Sequence, residues 1–138
     1  MIYRNQCKDI AFELSTQTLV DSGLIEDGMA RVPSYFRYWN KDNDSCYNQE
    51  EAFAQAEKDA ELFFNAKKDK LAAAEACMEK SPSLLCVFDA KTFGQDWYEG
   101  IVWLERLIRT ASSSGEVELS VLSPLIDNIF SLQKIVPY

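Results

Sequence analysis

The chain contains no histidine in 138 residues, and that absence narrows its chemistry more than any residue present. Histidine is the usual general base near neutral pH and the commonest ligand of transition metals. Without it, Ser-His-Asp and Cys-His nucleophilic sites, HExxH zinc sites and Cys₂His₂ fingers are excluded. Long apolar runs are missing as well: none approaches the roughly 18 residues of a membrane-spanning helix. Glycine and proline are few, five and four, and no Gly-Lys-Ser/Thr occurs, so a phosphate-cradling loop is absent. The four cysteines, Cys7, Cys46, Cys77 and Cys86, form no CxxC pair and no zinc-ribbon spacing. They are expected to be buried free thiols in a reducing compartment, with two disulfides as the alternative for an exported chain. The segment Met1-Ile2-Tyr3-Arg4-Asn5-Gln6 lacks the charged-then-apolar layout of a secretory signal, which points to the cytoplasm unless Met1 is not the natural start.

What is present describes a globular protein. Hydrophobic residues make up 47% and aromatics 12%, enough to build a core in a single domain spanning residues 1–138. The net charge of -8 disfavours nucleic acid and anionic membrane surfaces, both of which call for clustered Lys and Arg. It favours encounter with a basic protein.

Periodicity predicts a mainly α fold, a helical bundle of about four to six helices around one long central helix near 49–80. An α+β fold with one small sheet is the alternative. Asn48 followed by Glu51 has the pattern of a capping box. Ala, Glu, Lys and Leu then run without Gly or Pro as far as Ser81-Pro82. Phe53, Ala56, Ala60, Phe63 and Phe64 form an apolar stripe that resumes at Leu71, Ala74 and Met78. Such a helix is about 45 Å long, against a diameter of roughly 35–40 Å for a compact domain of this size, so it should bend near Asn65–Asp69 or project.

Elsewhere the pattern leaves choices. Residues 8–22 read as helix or strand, with helix preferred, and Gly23 and Gly28 mark turns. Pro33 is placed to open a short helix that aligns Val32, Phe36 and Trp39 inward, although Tyr35 to Trp39 also has strand propensity. Leu84-Leu85-Cys86-Val87-Phe88 reads as a buried strand or helical turn. Asp96 and Glu99 repeat the capping pattern before a helix whose face is Trp97, Ile101, Leu104, Ile108 and Ala111. Residues 116–122 alternate as a strand would, with helix not excluded. Ser123-Pro124 opens a final helix through Leu125, Ile129, Leu132 and Val136.

The segment Asn40 to Glu51 resembles the calcium loop of the EF-hand family. Oxygen-bearing side chains fall at loop positions one, three, five and nine (Asn40, Asp42, Asp44 and Asn48), and Glu51 stands at the twelfth, where the family places its bidentate carboxylate. The resemblance implies calcium as ligand. It departs from the family at Asn40, where the family has Asp, and at Ser45, where a sharp turn favours Gly. The competing reading is a polar turn that caps a helix.

No catalytic residue and no resident cofactor is identified. The carboxylate pairs Glu50/Glu51, Glu57/Glu61, Glu116/Glu118 and Asp96/Glu99 offer the other route to acid–base work; glycosidase chemistry would need two carboxyls about 5–9 Å apart across a cleft. A carboxylate enzyme, or a small-ligand pocket lined by Phe88, Trp97 and Trp103, is therefore an alternative reading. The reading preferred is a small, acidic, non-enzymatic module that binds a basic protein, of inhibitor, immunity or adaptor type. Its contact surface is expected at the acidic residues Glu57, Asp59 and Glu61 and at Tyr35 and Tyr38, since tyrosine is enriched at binding hot spots.

Overall fold

Asn48 begins the longest element as the sequence predicts. In the computed structural model, which describes residues 2–42 and 45–123, the Asn48 side-chain oxygen accepts from the backbone N–H groups of Glu50 and Glu51, at 3.1 and 3.3 Å. These are donors that a helix start otherwise leaves unsatisfied. The order of elements is α1 (Ile10–Glu13), α2 (Thr16–Asp21), α3 (Gln49–Glu75), a 3₁₀ turn (Ala90–Thr92) and α4 (Gly100–Ser114). The fold is mainly helical with one long helix, and the described residues contain no sheet, only isolated β-bridges.

α3 buries Ala52, Ala56, Ala60 and Phe64, a four-residue spacing that keeps one stripe inward. It runs uninterrupted through Asn65–Asp69 and ends at Glu75, five residues short of the expected end. There Cys77 and Met78 donate to the carbonyls of Ala74 and Glu75, so the ladder tightens to three-residue closures once little packing holds the next turn.

The chain forms two compact units. Met1–Ala56 with Asp89–Val102 makes the first, and Glu57–Phe88 with Trp103–Tyr138 makes the second. The opening turns of α3 and α4 belong to the first unit and their remainders to the second.

In the first unit, residues 8–22 resolve into two short helices. Asp9 caps α1 and Ser15 caps α2 through their side-chain oxygens. α2 stops at Ser22 because Gly23 takes a left-handed conformation (φ 67°); Gly23 N–H then bonds to Val20 and Leu24 N–H to Leu19, closing the helix end. The helix expected after Pro33 does not form. Tyr35 has φ 62°, which no right-handed helix accommodates, and the N–H groups of Ser34 and Tyr35 are drawn to the Asp9 carboxylate. The segment runs extended instead, with bridges Arg4 to Asn40 and Trp39 to Cys46, leaving Val32 and Phe36 exposed and Trp39 half-buried. Tyr3, Ala11, Leu19, Ala52 and Ala56 form the unit's apolar core.

The second unit packs Ala60, Phe64, Trp103 and Ala111. Phe63, Phe88 and Trp103 form an aromatic triad with centroids 5.1–6.0 Å apart. α4 begins at Gly100, after the expected cap, and its inward face carries Trp103, Leu107 and Ala111 while Ile101 and Ile108 are exposed. The expected face is thus displaced by about one position, because the bulk of Trp103 takes the interior. Residues 84–88 belong to no helix or strand and are exposed rather than buried, and 116–122 contain no strand. All four cysteines are free and exposed, contrary to the expected burial, because each lies outside the packed helix faces. The final helix at Leu125, Ile129, Leu132 and Val136 lies outside the described residues.

Candidate functional site

Two enclosed carboxylates organise the first unit. Asp9 stands before α1, where an acidic side chain satisfies the free N–H groups of a helix start. Its oxygens accept from Ala11 N (3.0 Å), Ser34 N (3.1 Å), Ser34 Oγ (2.5 Å) and Tyr35 N (2.7 Å). Burial pushes its pKa up, but the Ser34 hydroxyl and then the backbone donors of Ala11, Ser34 and Tyr35 outweigh it and hold the group below its ordinary 3.8. The result is a knot that ties residues 34–35 to the start of α1.

Glu99 is fully enclosed. Its Oε1 accepts from Arg4 N at 3.0 Å, and the Arg4 guanidinium lies 3.6 Å over the Tyr98 ring. Gly100 follows it of necessity, since a Cβ there would meet Phe93 and Trp97 at 3.2 Å. Glu99 Oε2, Arg4 Nε and the Tyr47 hydroxyl are buried without a well-formed hydrogen bond among the described residues. Burial first, and then the Glu99 carboxylate alongside, push the Tyr47 phenol above its ordinary 10.0. Glu99 is thus enclosed, with the half-buried Arg4 and Tyr47 beside it.

In the second unit an open cleft of ≈ 670 Å³ is lined by Glu61, Arg106, Ile108, Arg109, Thr110, Ser112 and Ser113. Arg106 donates through Nε (3.0 Å) and through a second guanidinium nitrogen to Glu61 Oε1. That hydrogen bond and the attraction of Glu61 raise the Arg106 pKa, and Glu57 adds to the attraction. The lining of the cleft offers an ion pair and hydroxyls.

The expected contact residues fall in both units. Tyr35 and Tyr38 are exposed in the first, and Phe36 stacks on Tyr38 with centroids 6.3 Å apart and planes 9° from parallel. In the second, Glu57 is exposed, Asp59 half-buried, and Glu61 engaged by Arg106. Of the calcium-loop residues, Asn40 is buried and its amide donates to Ser45 Oγ at 2.5 Å, Asn48 is occupied as a helix cap, and Glu51 is exposed. Asp42 is exposed, and Asp44 lies outside the described residues. The helix that would enter such a loop is replaced by the extended segment, and no metal-holding cluster of acidic or thiol side chains occurs among the described residues. Phe88 and Trp103 meet in the second unit's triad, while Trp97 packs edge-on against Tyr3 in the first.

Sequence reasoning missed Asp9 and named Glu99 only as half of the Asp96/Glu99 pair, with no sign of its enclosure. Asp9 carried a signal, an acidic residue just before an apolar-periodic stretch. Glu99 carried none, because its spacing from Asp96 read as a cap.

No known protein family and no characterised protein matches the sequence. Among solved structures the chain is similar to the α-amylase AmyC of Thermotoga maritima, with a TM-score of 0.75 and 24% identity over 96% of this chain. The match covers 26% of the amylase, so the chain spans about a quarter of that enzyme's length, and the likeness is one of fold.

Proposed function

We propose that this chain is a non-enzymatic, protein-binding helical module and that its partner is the catalytic part of a glucan-acting enzyme. The observation that carries the reading is the exposure of large apolar side chains in both units: Val32, Tyr35, Phe36 and Tyr38 in the first, Leu84, Leu85 and Val87 in the second. Water disfavours such clusters, and they mark surfaces that another protein covers. The exposed Glu50, Glu51 and Glu57 and the net charge of -8 suit a basic rim on that partner. The kind of partner is supported by the amylase likeness, in which the matching part is about a quarter of the amylase chain.

The acidic side chains fit this role better than catalysis. Glu99 is enclosed, Asp9 is consumed by four donors and Glu61 is held by Arg106. To test the reading, an antibody raised against the 138-residue chain is used to isolate its native species from the source organism, which is then run on a starch gel. Starch clearing by that species, with none by the isolated chain, is the expected result. Clearing by the isolated chain would defeat the non-enzymatic reading, and no clearing by the native species would defeat the glucan-acting partner. Reversing charge at Glu57, Asp59 and Glu61 is expected to slow association at low salt, and an unchanged rate would remove the acidic face from the contact surface.

A further inference from the structure

We infer that Glu99, Tyr47 and Arg4 hold a resident water molecule, which joins three distant parts of the chain inside the first unit. All three residues belong to that unit. Arg4 arrives on the amino-terminal segment, which bridges to Asn40 and is held by the Asn5 N–H donating to the Trp39 carbonyl at 2.8 Å. Tyr47 arrives on the segment before α3, its own N–H donating to the Tyr38 carbonyl at 2.6 Å. Glu99 stands directly before α4.

Three atoms of this group are buried without a well-formed hydrogen bond among the described residues: Glu99 Oε2, Arg4 Nε and the Tyr47 hydroxyl. Glu99 Oε1 takes the Arg4 backbone N–H at 3.0 Å, which leaves Oε2 over. The Arg4 guanidinium lies 3.6 Å from the centre of the Tyr98 ring, so the ring covers its face. The Nε–H lies in the guanidinium plane and still calls for an acceptor. Burial first, and then Glu99, raise the Tyr47 phenol, so the two side chains are neighbours although they form no good direct bond. Leaving a buried carboxylate oxygen, a charged donor and a phenol unmatched is costly, and folded proteins seldom do it.

The chemistry of the three atoms selects the occupant. A cation there would meet the Arg4 charge, and an anion the Glu99 charge. A neutral occupant must give to an acceptor, take from a donor and be small, because all three atoms are shut off from solvent. Water does this. It donates to Glu99 Oε2, accepts from the Arg4 Nε–H and shares its third bond with the Tyr47 hydroxyl. About three partners is the usual number for a buried water.

A high-resolution crystal structure of the 138-residue chain should show one solvent peak within about 2.6–3.2 Å of all three atoms. A Tyr47 hydroxyl bonded directly to Glu99, with no such peak, overturns the inference. Growth in rubidium bromide separates water from an ion: anomalous scattering at the peak overturns water in favour of a cation or an anion. In solution, the Arg4 Nε–H of ¹⁵N-labelled chain should give a nuclear Overhauser cross-peak to water with the sign of a bound rather than a passing molecule. Glu99→Leu, which replaces the acceptor with apolar volume, should abolish that cross-peak. Tyr47→Phe removes the phenol proton as another source of the signal, so the cross-peak should survive there. Its loss in Tyr47→Phe assigns the signal to the phenol and overturns the water.

Discussion

Asp9→Ala probes the contact that decides the path of residues 33–40. The substitution removes the α1 cap, worth about 1 kcal/mol. It also strands the Ser34 N–H, the Ser34 hydroxyl and the Tyr35 N–H, which now donate at 3.1, 2.5 and 2.7 Å. These donors are only part-buried and regain some water, so about 1 kcal/mol each is a fair upper figure. Relief of the left-handed Tyr35 (φ 62°) returns about 1 kcal/mol. The expected net loss is about 2–3 kcal/mol. In urea, with a slope of about 1–2 kcal/mol per molar, the midpoint should fall by roughly 1.5 M. Circular dichroism and tryptophan fluorescence would follow it. Asp9→Asn keeps a cap oxygen but loses the charge and one acceptor, so it should cost about half as much. The folded Asp9 pKa lies below 3.8, so the charged carboxylate contributes stability above that value, and the contribution is lost as pH falls through the folded value. Asp9→Asn should therefore flatten the acid limb below about pH 4. A loss under about 0.5 kcal/mol for Asp9→Ala, or an identical acid limb for Asp9→Asn, would refute the reasoning.

Glu99→Leu should cost about 1–3 kcal/mol in the same urea assay, because it leaves the part-buried Arg4 backbone N–H without its carboxylate acceptor. Tyr47 should resist alkaline titration at 295 nm in the folded state; with its folded pKa above 10.0, stability should fall as pH rises past 10, and Tyr47→Phe should remove that dependence. Gly23→Ala and Gly100→Ala should each cost about 1–2 kcal/mol for different reasons, the first through φ 67° with open space around it, the second through contacts at 3.2 Å with the Phe93 backbone and ring and the Trp97 ring, so trimming Phe93 should ease only the second, and only in part. Millimolar calcium should leave the melting temperature where a chelator leaves it, because Asn48 serves the helix and Asn40 reaches Ser45; a rise of several degrees would restore Asn40–Glu51 as a site.

The sequence by itself determined the elements whose causes are local. The start of α3 at Asn48, its stripe through Ala56, Ala60 and Phe64, and the stop of α2 at Gly23 follow from relations three or four residues apart. The absence of histidine likewise fixed which chemistries were closed before any fold was known. Tertiary structure decided whatever depends on distant partners. Ser34 lies 25 residues from Asp9, and that contact overrides the helical reading of Val32, Phe36 and Trp39. Arg4 lies 95 residues from Glu99, which turns a presumed cap into an enclosed charge. The apolar run at 84–88 looked like core because hydrophobicity records only a preference for burial, while geometry decides whether anything is there to bury it.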